Sequence, residues 1–203
     1  MDGSFIYDRY VTGKNFIGRK TECNTLANLL SQGENVVIYE PPKTGKMSVV
    51  RQTLFQMRLS GINYEVYGLN LFNVRNIRDV LLKFGNAVAR SAVSSPEEYS
   101  ALVSEYLGGT HFFFDQERFA EKNEVLSMEG GPDEADMTGI LTLPCRLAAS
   151  KGIKAIVILE EFQNIMASEG HETLLKLMED ILKKSREESR CSRGVWAISS
   201  SGK

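Results

Sequence analysis

Residues 36–50 read VVIYEPPKTGKMSVV: four apolar residues, a proline-rich turn, and a Gly45-Lys46 pair leading into a helical pattern. The chemistry such a stretch can do is phosphate binding. Main-chain N–H groups at a helix N-terminus converge on phosphate oxygens, and a lysine adds positive charge. The Gly-Lys pair alone is weak evidence, since it recurs at 13–14 and 202–203. What singles out Gly45-Lys46 is an apolar strand before it and a helix after it.

Those neighbours belong to a regular alternation. A helical pattern over 16–30 places Leu26, Leu29 and Leu30 on one face, and VVIY then reads as a strand buried on both faces. Helix follows from Lys46 to about Leu59, strand over 64–71, and helix through Ile77, Val80, Leu81, Phe84 and Val88. Residues 91–138 are the least regular part and read as an insertion without a core of its own. Within it, SAVSSPEE caps a short helix through Tyr106, FFFDQERFAEKNEV suits another, and MEGGPDEAD is an acidic, turn-rich loop. A helix over 139–150 leads to the apolar strand 155–159. Next come a helix with Leu174, Leu175, Leu177, Met178, Ile181 and Leu182 as its buried stripe, and a last strand over 194–199. Strands alternating with helices imply an α/β fold, a mainly parallel sheet covered on both faces.

The totals exclude several classes. With 203 residues the chain suits one α/β domain, and 42% apolar with 25% charged residues is globular composition. A net charge of −2 gives nucleic acid no support, although a local basic patch can hide in that total. Cys23, Cys145 and Cys191 lie far apart and, with His111 and His171, make no zinc or disulfide spacing; no metal site is expected. The cysteines read as reduced, partly buried thiols, the histidines as surface or helix-start residues, and Trp196 as core. The start MDGSFIYDRY has no apolar h-region, and no run approaches the roughly 18 apolar residues of a membrane span. The expectation is a cytoplasmic chain with no membrane partner.

EPPKTGKM resembles the Gly-Pro-Pro-Gly-Thr-Gly-Lys-Thr loop of AAA-type ATPases, sharing Pro41, Pro42, Thr44, Gly45 and Lys46. FIGRKTE (16–22) is similar to the Phe-x-Gly-Arg-x-x-Glu box that precedes the loop in archaeal-type and related bacterial ATPases of the AAA/STAND kind. AIVILEEFQNI resembles their Walker B strand, and VWAISSSG their sensor strand. The four matches fall in the family's order over roughly residues 5–201.

The resemblance implies a three-layer P-loop NTPase domain spanning 1–203, stopping before a fifth strand and helical lid. Its strand order would be fifth, first, fourth, third, second, which leaves VVIY at an edge that a protein partner or a further C-terminal region would cover. It implies ATP as ligand, held by Pro41, Pro42, Lys43, Thr44, Gly45, Lys46, Met47 and Ser48, with Phe16, Gly18 and Arg19 lining the adenine pocket. Glu161 would activate the attacking water, Glu160 would stand at the metal, and Ser200, in the run Ser199–Ser201, would act as sensor. The bland alternatives are a solvated carboxylate pair at a strand end, a surface arginine, a core phenylalanine and a frayed terminus.

The sequence also departs from the motif. Glu40 replaces the first glycine and Met47 the hydroxyl that binds Mg²⁺; Ser48, one residue later, is displaced by about 100° around the helix. Glu160 replaces the Walker B aspartate with a longer arm. The expectation is ATP-type nucleotide binding with weak or absent hydrolysis; the alternative is a pseudo-ATPase kept as an interaction module.

Overall fold

The computed structural model describes residues 10–41, 43–187 and 194–200; for 185–187 and, apart from Ile198, for 194–200 it describes the backbone alone. Pro42, Cys191 and Ser201, named above, lie outside the described residues, as does the side chain of Trp196.

Helix α1 (Lys20–Gln32) ends where Gly33 turns left-handed at φ 82° and returns its N–H to Leu29 and Leu30. Strand β1 (Val36–Tyr39) and helix α2 (Lys46–Leu59) flank the proline-rich turn. Strand β2 (Tyr64–Asn70) leads to α3 (Ile77–Ala92), which Asn76 caps by accepting the Asp79 N–H. A capping box of Ser95 and Glu98, with Pro96 in the first turn, starts α4 (Pro96–Tyr106).

The stretch expected to be least regular continues with β3 (Phe112–Phe114), α5 (Gln116–Lys122) and β4 (Leu126–Met128). FFFDQERFAEKNEV thus divides into strand and helix, because Asp115 accepts the Arg118 N–H and caps α5 after three aromatic residues that pair with β4. Tyr99, Leu102, Phe112 and Leu126 join the same core as α3 and α6, so the stretch is packed onto the sheet's helical layer. Asn86 of α3 fastens it: its side-chain oxygen accepts from the Val125 and Leu126 N–H groups, and its amide donates to the Leu126 carbonyl.

Helix α6 (Glu134–Ser150) begins with a second capping box, Asp133 with Asp136. Strand β5 (Lys154–Glu160), α7 (His171–Glu187) and β6 (Gly194–Ser200) complete the order. On α7, Leu174 and Met178 are buried, while Leu175, Leu177, Ile181 and Leu182 are partly so.

The main sheet runs β1-β6-β5-β2, every pair parallel. Ala155 to Leu159 of the central β5 are all buried, and they alternate between two cores. Ile156 and Ile158 pack with α1 and α2; Ala155, Val157 and Leu159 pack with α3 and α6. This is the layered α/β arrangement with its parallel sheet, in the implied order less a fifth strand.

One expectation is corrected at β1. VVIY reads as buried on both faces, yet Val37 and Tyr39 are 65% and 69% exposed. Val36 and Ile38 pack against the α1–α2 core, while among the described residues nothing covers the opposite face or the outer edge of this strand.

Candidate nucleotide site

In an open parallel sheet, ligands bind beyond the carboxyl ends of the strands, where chain order switches direction. Here the register brings Tyr39 of β1 beside Ser200 of β6, and Leu159 of β5 beside Ile198. The proline-rich turn, the serine run and the Glu160-Glu161 pair therefore emerge at one end of three adjacent strands. At about 4.8 Å per strand, β1 and β5 stand roughly 10 Å apart.

The turn is held in a strained form. Lys43 has φ 63° and Gly45 φ 87°, and α2 starts directly afterwards at Lys46. Among the described residues, five non-glycine positions have positive φ: Arg19, Lys43, Glu161, Asn73 and Asn123. Asparagine tolerates this region, but Arg, Lys and Glu do so at a cost of about 1–3 kcal/mol. All three are residues the sequence singles out, each at a different part of the same sheet end. Backbone strain stored at one place points to a functional site.

Lys46 is buried, and its ammonium donates to the carbonyls of Glu40 at 2.8 Å and Pro41 at 3.3 Å. Glu40, the carboxylate standing where the motif has glycine, is taken up by Arg19. One guanidinium nitrogen bonds Glu40 Oε1, another reaches Oε2 at 3.4 Å, and that second nitrogen also donates to the Thr44 carbonyl at 3.0 Å. Thr44 Oγ1 donates to Glu40 Oε2 at 2.7 Å. The Arg19 contact foremost, with the Thr44 hydroxyl, holds the Glu40 carboxyl below the usual range, and the same pairing raises the Arg19 guanidinium. So the Gly18-Arg19 box is built against the loop before α2: Gly18 at φ 81° and Arg19 at φ 52° turn the chain into α1, and the Arg19 side chain reaches Glu40. Phe16 packs, half-buried, at the edge of the α1–α2 core.

The residues after Lys46 do not make a metal site. Met47 is buried in the core with Cys23 and Leu26, and offers only a thioether in any case. Ser48 Oγ accepts the Val11 N–H at 3.2 Å. Glu160 Oε2 accepts the Tyr10 hydroxyl at 2.8 Å, and Glu161 accepts the Gln163 amide at 2.6 Å. The present donor set fits a phosphate chain and does not fit a directly bound Mg²⁺. Of Ser200 the backbone alone is described, so its sensor role lies outside the described side chains.

Sequence reasoning missed the segment before the box. Tyr10, Val11 and Gly13 run along α2: Tyr10 stacks under Arg51 with the guanidinium carbon 4.4 Å from the ring centre, and Gly13 donates to Gln52 at 2.7 Å. Burial first, then the bond to Glu160, pushes the Tyr10 hydroxyl up. No spacing rule marks a lone tyrosine; only the fold brings it over the sheet end. His111, read as a surface or helix-start residue, is exposed, and its ring bonds Asp136 at 2.8 Å, with Asp133 at 3.8 Å.

Comparison with solved structures decides the fold. The chain superposes on the Aeropyrum pernix ORC2 protein in its ADPNP–ADP complexes with a TM-score of 0.53, at 17% identity, over 96% of this chain and 44% of that one. The ADP form of the same protein gives 0.54 at 15% identity, again over 96% and 44%. The fold is the three-layer α/β P-loop fold, with a mainly parallel sheet. A third likeness, to the A. pernix ORC1 protein in complex with DNA, has a TM-score of 0.45 at 17% identity, over 92% and 40%. The chain thus spans less than half the length of these proteins. No family profile and no curated protein matches it. Among the described residues, no helix is long and apolar enough to cross a membrane.

Proposed function

We propose that this chain binds an ATP-type nucleotide through residues 41–48 and hydrolyses it weakly or not at all, as a regulatory or motor unit of AAA/STAND kind. The observation that carries the reading is the loop itself. Two left-handed residues, Lys43 and Gly45, bring the chain to the start of α2, whose first-turn N–H groups have no partners within the helix. The Lys46 ammonium lies across the loop carbonyls, where a phosphate chain would meet it. Arg19 neutralises Glu40, which removes the repulsion that an acidic residue at the loop's start would otherwise bring.

When bound, the nucleotide supplies the phosphate charge; this chain's residues bind and orient it. Hydrolysis is weak because Met47 is a core residue and Glu160 is engaged by Tyr10. Phe16, Gly18 and Arg19 bound one side of the site, and Glu161 is the remaining candidate base. A protein partner or further C-terminal region belongs to the same reading, since β1 has a face and an edge to cover.

A second reading is favoured by the N-terminal segment: Tyr10 and Val11 occupy Glu160 and Ser48, as they would in an interaction module that never takes nucleotide. Thermal unfolding with ADP or ATP, with and without Mg²⁺, separates the two. Ligand at a hundred times Kd stabilises by about 2.7 kcal/mol, a rise in Tm of roughly 5–10 °C for a domain this size. Binding is expected to give that saturable rise, little changed by Mg²⁺ and lost in Lys46→Ala. A flat response to millimolar nucleotide on folded protein overturns the proposal in favour of the second reading.

A further inference from the structure

A concave groove of about 580 Å³ lies on the helical layer away from the phosphate loop, bounded by α3, α5 and β4. Its charge is the opposite of the chain's. Arg78, Lys83 and Arg90 of α3 and Arg118 and Lys122 of α5 line it, against two carboxylates, Asp79 and Glu124, in a chain of net charge −2.

The three cations of α3 are fixed without being neutralised. Arg78 donates to the carbonyls of Met128 and Gly130, Arg90 to those of Asn86 and Asn123, and Lys83 to that of Phe72. All are neutral main-chain acceptors. Among the described residues, the one ion pair in the groove is Arg118 with Glu124 at 3.7 Å, and Asp79 is turned to the Arg75 N–H. A guanidinium pinned by one edge keeps its other donors for a planar anion and has already lost the rotamer freedom that binding would cost.

The cations follow a line. Twelve residues separate Arg78 from Arg90 along α3, about 18 Å at 1.5 Å per residue. That is the reach of roughly six residues of extended peptide. Between the charges Leu82 is the half-buried apolar residue that reaches the surface, over the buried Val74 and Leu126. A sugar–phosphate backbone has little to place there, and among the described residues no aromatic side chain lines the groove for a base to stack on. Alternating carboxylates and apolar side chains match both features.

We propose that this groove binds an acidic peptide segment of a protein partner, its Asp and Glu carboxylates on Arg78, Arg90 and Arg118 and an apolar side chain on Leu82. The test is fluorescence anisotropy of a labelled peptide of about ten residues, Gly-Glu-Leu-Asp-Glu-Leu-Asp-Glu-Leu-Gly, titrated with the whole chain in the absence of nucleotide. Comparators are the same peptide with Gln and Asn for its acids, and oligodeoxythymidylate of similar length. The acidic peptide is expected to bind, to weaken as salt rises, and to lose about tenfold or more in affinity with the neutral peptide and in Arg90→Gln/Arg118→Gln/Lys122→Gln. Those side chains are exposed, so the triple variant is expected to keep its Tm; single variants at Arg118 and Lys122, each weakening binding by a smaller factor, carry the test if it does not. Equal binding of the neutral peptide, an undiminished affinity in the variants, no binding at millimolar protein, or tighter binding of the oligonucleotide with displacement of the peptide each overturns the proposal. The last of these would make the groove a nucleic-acid surface.

Discussion

At the scale of single residues, the sequence raises one contradiction and the structure answers it. On the proposed reading Glu40 puts a carboxylate at a phosphate-binding loop, and Arg19 pairs with it from a position 21 residues earlier. Removing Arg19 then leaves that charge beside the proposed phosphate site. Because both side chains are partly exposed, the repulsion is screened to about 1 kcal/mol, roughly a fivefold rise in Kd for ADP. Calorimetric titration is expected to show this rise in Arg19→Ala and its reversal in Arg19→Ala/Glu40→Gly. Weakening that the second change does not rescue would mean Arg19 acts in some other way. A different pairing sets a pH dependence. The ring's bond to Asp136, then the attraction of Asp136, Asp133 and Glu129, raises the His111 pKa. Burial alone pushes the Asp136 carboxyl up, but the main-chain N–H groups of Asp133 and His111 and the ring outweigh it and hold it low. A raised histidine stabilises fully below its unfolded pKa of about 6.5 and loses that contribution as pH rises through the folded value. A lowered aspartate stabilises above about 3.9 and fails as pH falls through its folded value. The pair is therefore at full strength between roughly pH 4 and 6.5. The gap in urea midpoint between the wild-type chain and His111→Gln is expected to be widest near pH 5.5 and to narrow towards pH 9; a gap independent of pH would show that the ring contributes by packing alone.

At the scale of elements, the strands and the long helices were legible because each carries a period that burial enforces. The apolar run 155–159 is a strand with two covered faces, and Ile77, Val80, Leu81, Phe84 and Val88 recur as one helical face. That the loop before α2 and the Glu160–Glu161 pair lie at one end of the sheet was legible through the order of motifs, while their role with nucleotide belongs to the proposal. Less so was the stretch from 107 to 128, where strands of three residues are too short to show a period and are fixed by what they dock on. That docking runs through Gly85 and Asn86 of α3. A Cβ at Gly85 would sit 2.5 Å from Leu126 Cδ1 and 2.7 Å from Ile140 Cδ1, both on buried side chains. Alanine gains up to about 1 kcal/mol in helix propensity, whereas overpacking a closed core costs about 1–3 kcal/mol. Gly85→Ala is expected to lower Tm by a few degrees; a higher Tm would mean the β3–β4 pair can shift off α3 at little cost.

At the scale of the whole molecule, β1 shows why an apolar run alone misjudges burial. VVIY has the composition of a central strand, but whether a strand is central depends on what packs against it, which four residues cannot encode. Val37 and Tyr39 remain exposed beside an outer edge that no described strand pairs, and an uncovered apolar strand is a template for association. The chain's charge does little to oppose it: −2 over 203 residues, with a pI near 5.8. Self-association is thus expected to rise with concentration and to peak as pH approaches that pI. Val37→Lys/Tyr39→Lys puts two charges on the exposed face and touches neither core, so Tm should move by only a degree or two. Light scattering across pH 5 to 8 should then show the variant monodisperse at concentrations where the wild-type chain associates. If both scatter alike, association runs through another surface, and the search for what covers this sheet moves away from β1.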